Sequence, residues 1–172
     1  MDIKRNTRKW TAVLVLFVCY VVIHEGAHLL FAVSYGVFKQ INFLGIGWQI
    51  DIYRERLTDL QLGIFNLAGP VSTIVTGYIL LALTSKFLLI KSDFIRAVTY
   101  FLTMGFLLVD PLYPVTSYFF GKGDMNGIRL LIPETVAWII FGIILVINVF
   151  IIMKFVVPKY RQAYQKSTEI KS

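Results

Sequence analysis

The chain has 172 residues, of which 57% are hydrophobic and only 16% charged, and its mean hydropathy is +0.71. This composition excludes an ordinary water-soluble domain and is typical of an integral membrane protein with a handful of spans. The formal net charge of +7 does not indicate nucleic-acid binding, because the Lys and Arg residues cluster at the ends of apolar segments rather than on one patch.

Four apolar stretches approach or exceed the roughly 20 residues that cross a bilayer as a helix. They predict an all-α bundle of about four transmembrane helices, running from about 10 to 35, 60 to 83, 94 to 109 and 134 to 157. Residues 1–9 form a basic flank and residues 158–172 a basic tail. Because Lys and Arg are most abundant in these two segments and in the second-to-third connection, we expect both termini to be cytoplasmic.

The first apolar stretch contains the run His24-Glu25-Gly26-Ala27-His28, with the only two histidines of the chain. Residues at i and i+4 share one face of a helix, so both imidazoles can reach one metal while Glu25 lies beside them as a general base. Ionisable side chains at membrane depth are costly and indicate a functional site. The pattern predicts a Zn²⁺ hydrolase centre, and a proton relay or a structural His-Glu pair is the alternative.

The connection between the first two stretches alternates polar and apolar residues from Ile41 to Tyr53, with glycines at the expected turn. This pattern predicts a short β-hairpin, and Trp48 suits the membrane interface. The hairpin has two interpretations. It is either a structural cover over the bundle or an edge strand that pairs with an unwound substrate segment.

The third apolar stretch ends at Asp110-Pro111-Leu112-Tyr113-Pro114, where two prolines are expected to prevent regular helix. Residues 118–124 follow and are expected to re-enter or to lie at membrane depth.

A catalytic zinc usually keeps three protein ligands, and with no third histidine the remaining ligand must be a carboxylate. The candidates are Asp124, Asp110 and, more distantly, Glu134. Asp124 is preferred because glycines precede it and a helix is expected from Met125 to Ile132, although it then also suits an N-cap. Asp110 is the alternative, as a ligand or as the partner of a ligand histidine.

The chain resembles the site-2 protease family of intramembrane zinc metalloproteases in three places. These are the His24 to His28 motif, the segment Asn66-Leu67-Ala68-Gly69-Pro70 in the second stretch, and a late Pro-rich block followed by an aspartate. The resemblance covers about residues 10 to 130 and implies that residues 10–157 form a membrane-embedded metalloprotease core. It also implies zinc ligation by His24, His28 and an aspartate of the late block, and catalysis by Glu25.

One departure concerns the late block, because Pro111 and Pro114 are not followed directly by the aspartate-glycine pair of the family, and Asp124 comes ten residues later. Gly69-Pro70 is interpreted as close helix packing and a proline kink, and Asn66 as a substrate-binding or interhelical amide. The expected partners are a membrane-protein substrate and the lipid bilayer. A non-proteolytic metal-binding scaffold or regulator, and a proton or cation transporter, are the competing functions.

Overall fold

The computed structural model describes residues 3–44, 47–120 and 123–169. Six helices and two strands follow one another in the order α1, β1, β2, α2, α3, α4, α5 and α6. Their bounds are α1 Ile3–Ser34, β1 Phe38–Leu44, β2 Gly47–Ile52, α2 Asp59–Leu89, α3 Asp93–Phe120, α4 Met125–Ile128, α5 Glu134–Ile151 and α6 Val157–Glu169. A single 3₁₀ turn, Arg54–Arg56, precedes α2, and a π-helical turn, Ile152–Val156, joins α5 to α6.

Four of these helices are long and apolar enough to cross a membrane, which confirms the predicted set of four long apolar helices. The segments are Asn6–Ser34, Asp59–Leu89, Asp93–Tyr113 and Glu134–Gln165. α1, α2 and α3 pack against one another, and α5 packs on α3. Many large apolar side chains point away from the bundle, among them Leu14, Leu30 and Val146, as expected of a surface that faces lipid.

The start of α2 is set by a capping box. The Thr58 hydroxyl accepts a hydrogen bond from the Gln61 backbone N–H at 3.3 Å, and the Gln61 side-chain oxygen accepts one from the Thr58 N–H at 3.0 Å. Two otherwise unpaired donors at the helix N-terminus are satisfied in this way. The cap fixes where the hairpin connection ends and α2 begins.

The predicted hairpin between the first two long helices is confirmed as a two-stranded antiparallel sheet, in which Ile41 lies opposite Ile50. It begins at Phe38, slightly earlier than the alternation indicated, and its turn at residues 45–46 lies outside the described residues. One apolar cluster joins the hairpin to the end of α1 and the start of α2; its buried members are Ala32, Val37, Ile50, Leu62 and Phe65. The hairpin is therefore held against the bundle by the burial of apolar surface.

The predicted end of the third helix near Val109 is wrong, because α3 continues through Pro111 and Pro114 to Phe120. Proline lacks the N–H that the carbonyl four residues earlier would accept, and in α3 that carbonyl belongs to Leu107. The buried Asn148 side chain of α5 supplies the missing donor at 2.6 Å, and its own oxygen accepts from the Tyr78 hydroxyl at 2.6 Å. α3 remains helical through Pro111 because Asn148 of α5 donates the hydrogen bond to the Leu107 carbonyl that Pro111 cannot donate.

Two further expectations concern the ends of this region. The predicted tail from residue 158 is helical as far as Glu169, so α5, the π turn and α6 form one continuous helical segment.

Of the stretch expected to re-enter the membrane, residues 118–120 belong to α3, while Gly121 and Lys122 lie outside the described residues. The helix expected to start at Met125 is short and ends at Ile128.

Candidate metal centre

The two histidines of α1 direct their Nε2 atoms to one place. His28 is buried, and its Nδ1 lies 2.8 Å from the backbone carbonyl oxygen of Phe65. A carbonyl can only accept, so Nδ1 donates to Phe65, and Nε2 is the nitrogen left to face a ligand. The two rings meet edge to face at 5.0 Å between centroids. With its Nδ1 hydrogen-bonded to a carbonyl, His28 has the orientation that a metal-binding imidazole requires.

Asp124 stands in front of both Nε2 atoms. Its Oδ2 is 3.0 Å from Nε2 of His24, and its Oδ1 is 3.5 Å from Nε2 of His28. Asp124 occupies the N-cap position of α4, but its side chain makes no capping hydrogen bond and turns to the imidazoles instead. The structure thus brings together the three residues that the sequence singled out as ligands, on elements 100 residues apart in the chain.

Gly123 explains how the chain reaches this position. Its φ of +35° falls in the region that favours glycine, and a Cβ there would overlap the Tyr113 hydroxyl. The close approach sets Asp124 against α1 and α2. Burial of the Asp124 carboxyl raises its pKa, but hydrogen bonds with the two imidazoles outweigh burial and lower the pKa to about 2.

The chemistry of these residues is compatible with a metal ion such as zinc. Two ligand atoms bound to the same tetrahedral zinc stand about 3.4 Å apart, given bond lengths near 2.0 to 2.1 Å. The separations of 3.0 Å from Asp124 Oδ2 to Nε2 of His24 and 3.5 Å from Oδ1 to Nε2 of His28 are near that spacing, with one carboxylate oxygen facing each imidazole. One anionic oxygen ligand and two neutral imidazoles are also a donor set that zinc hydrolases use.

Glu25 belongs to the same cluster. Ligand atoms of His24, Glu25 and His28 lie within 4.8 Å of one another, so this group is itself able to hold a metal ion. Glu25 Oε2 accepts a hydrogen bond from the Ile50 backbone N–H of β2 at 3.1 Å. The hairpin thereby fixes one carboxylate oxygen and leaves the other available for chemistry.

Asp110 lies behind His24 rather than beside the Nε2 atoms. It is buried, and its Oδ1 is 3.5 Å from Nδ1 of His24. The Tyr20 hydroxyl donates to the same oxygen at 2.9 Å, and the Thr73 hydroxyl donates to the other oxygen. With both oxygens engaged on the far side of His24, Asp110 has the position of a residue that orients a ligand.

Sequence reasoning missed two contributors to this site, Tyr20 and Thr73. Both hold Asp110, and Gly69 packs against the imidazoles so closely that a Cβ would lie 2.6 Å from Nε2 of both His24 and His28. The close helix packing predicted at Gly69 is therefore confirmed, and its partners are the two imidazoles. A signal was present for Tyr20, which precedes His24 by four residues and so shares its helix face.

The remaining candidates lie elsewhere. Asn66 donates from Nδ2 to the Leu62 carbonyl at 2.8 Å and lines a cavity of about 220 Å³ between the hairpin, α2 and α4. Glu134 is the first residue of α5. Comparison with protein-family models, with curated proteins and with solved structures finds no match to this chain.

Proposed function

We propose that the chain is an intramembrane zinc endopeptidase that hydrolyses peptide bonds in or near the transmembrane segments of membrane proteins. The observation that carries the proposal is the convergence of two imidazole Nε2 atoms and the Asp124 carboxylate beside a glutamate. The sequence resemblance to site-2 proteases supports the same activity. His24, His28 and Asp124 would hold the zinc, with both termini in the cytoplasm.

Each residue of the site has one task in this proposal. A bound zinc supplies Lewis acidity, which polarises a peptide carbonyl and acidifies water. Glu25 takes a proton from the attacking water at its carboxylate and delivers it to the leaving amine, so that OH is added to the carbonyl carbon and H to the nitrogen. The Ile50 N–H holds Glu25 Oε2, which restricts the carboxylate to one orientation.

The long apolar helices support a substrate that also lies in the membrane. A peptide bond inside a helix is shielded by its neighbours, so a substrate must unwind locally before attack. The edge of β2 that is not paired with β1 lies beside Glu25. It suits such an extended segment, because backbone groups of an edge strand pair with another strand. This supports the interpretation of the hairpin as a substrate-contacting strand over that of a simple cover.

The decisive experiment combines metal analysis with a cleavage assay on the purified full chain in detergent, using model transmembrane substrates. We expect one zinc per wild-type chain and measurable cleavage. Glu25→Gln should keep its zinc and lose about 10²- to 10⁴-fold in rate, because the amide cannot accept the proton. His24→Ala should lose both metal and activity.

The competing functions give different results in the same experiment. A metal-binding scaffold retains zinc and cleaves nothing, whether or not Glu25 is changed. A proton or cation transporter shows neither stoichiometric zinc nor cleavage. Loss of zinc from Glu25→Gln would mean that Glu25 is a ligand and would overturn its role as the base.

A further inference from the structure

A cavity of about 220 Å³ lies next to the candidate metal centre and shares walls with it. It is called the amide cavity here because four side-chain amides line it: Asn42, Gln49, Asn66 and Asn126. Three other wall residues connect it to the site. The Ile50 backbone N–H donates to Glu25, and the Phe65 carbonyl accepts from His28. Gly127 lies on α4, three residues after Asp124. Single residues of the cavity wall, Ile50 and Phe65, therefore contact Glu25 and His28 directly.

The amides provide the hydrogen bonds that a peptide backbone needs. Each side-chain amide both donates and accepts, as does each peptide unit. Asn42 uses its oxygen to accept from Gln40 at 2.7 Å, and Asn66 uses its nitrogen to donate to Leu62. Within the described part of the chain, the side chains of Gln49 and Asn126 make no hydrogen bond. The cavity thus offers both donors and acceptors to a ligand.

One acidic and one basic side chain, Asp51 and Arg54, line the cavity. The Asp51 carboxylate pairs with Lys39 at 3.0 Å and accepts from the Ile52 N–H at 3.0 Å. No ion pair joins the Arg54 guanidinium to any described residue. An arginine left over after the acidic residue is neutralised favours an anionic partner.

We propose that the amide cavity binds an extended polar segment of the substrate that carries an aspartate or glutamate close to the scissile bond. The inference rests on the proposed function for what is cleaved, but the binding it describes does not require cleavage. The four amides take the backbone of the segment, and Arg54 takes its carboxylate. Substrates with an acidic residue beside the cleavage point are then preferred over substrates with a neutral one.

The test measures binding of two fluorescein-labelled, capped hexapeptides to the full chain in neutral detergent by fluorescence anisotropy. The peptides consist of glycine and serine with one central residue, glutamate in one and glutamine in the other. The wild type should bind the glutamate peptide about threefold to fivefold more tightly, the size expected of an exposed ion pair. Arg54→Gln should abolish that preference.

Arg56→Gln is the matched control, because Arg56 stacks on the Tyr53 ring at 4.3 Å and does not line the cavity. It should keep the full preference. The proposal is overturned if Arg54→Gln retains the preference, if neither peptide binds, or if phosphatidylglycerol added to the micelles displaces both peptides equally, which would identify a lipid headgroup site. Peptide binding and cleavage are measured separately. The chain can therefore bind the acidic peptide without cleaving any substrate, or cleave substrates without preferring the acidic peptide.

Discussion

The two imidazoles differ in what lies behind their Nδ1 atoms. For His28 it is a backbone carbonyl, which no side-chain substitution removes. For His24 it is the carboxylate of Asp110, held in turn by Tyr20 and Thr73. Groups bonded to the outer nitrogen of a metal-binding histidine fix its ring and raise its basicity. The orientation of His24 is therefore the one that mutation can test.

Asparagine substitutions separate the two aspartates. Asp124→Asn should strip the zinc, because it removes the negative charge of a direct ligand. Asp110→Asn should keep a zinc site whose affinity is weaker by about 10- to 100-fold, the usual cost of losing a partner of a ligand histidine. Zinc titration with a competing chelator measures both. If Asp110→Asn empties the site while Asp124→Asn retains zinc, the roles are reversed.

Gly69 is a second residue whose substitution tests the site. In Gly69→Ala the new methyl group would lie 2.6 Å from both Nε2 atoms, so one or both imidazoles must move. We expect zinc affinity to fall at least about tenfold, in line with the loss of ligand orientation. Gly142→Ala is the control, since a Cβ at Gly142 meets nothing within 4 Å. Equal zinc affinities in the two variants would contradict the proposed packing.

At the level of elements, α3 depends on α5 where Pro111 interrupts its hydrogen bonding. Asn148→Leu removes the donor to the Leu107 carbonyl and leaves that carbonyl unpaired in an apolar setting. We expect unfolding in detergent to become easier by about 1 to 2 kcal/mol. Pro111→Ala restores a backbone N–H, so the cost of Asn148→Leu should shrink in that background. An equal cost in both backgrounds would show that Asn148 acts elsewhere.

The helices, the hairpin and the metal centre differ in how far the sequence could predict them. The four long helices were predictable because each needs about 20 apolar residues, and the hairpin because side chains alternate along a strand. His24, Glu25 and His28 were predictable from helical spacing alone. The passage of α3 through Pro111 was not, because the compensating Asn148 lies in another helix. The partners of Gly69 were unpredictable for the same reason, since its contacts with the imidazoles arise only when α2 packs on α1.

For the whole molecule, an even number of crossings places both ends of the chain on one side of the membrane. We expect all four long apolar helices to cross, so fluorescent reporters fused to the N-terminus and to the C-terminus should both report the cytoplasm, as the distribution of Lys and Arg predicts. A reporter inserted between Arg56 and Thr58, before α2, should lie on the opposite side. Termini found on different sides would mean that one of the four helices does not cross.

Under the proposed function, the hydrogen bond from Ile50 to Glu25 has a consequence for inhibitor design. A strand-like compound whose carbonyl accepts the Ile50 N–H would detach Glu25 from the hairpin without contacting either imidazole. Its selectivity would come from the side chains of the neighbouring cavity rather than from the metal, so such compounds need no chelating group at all.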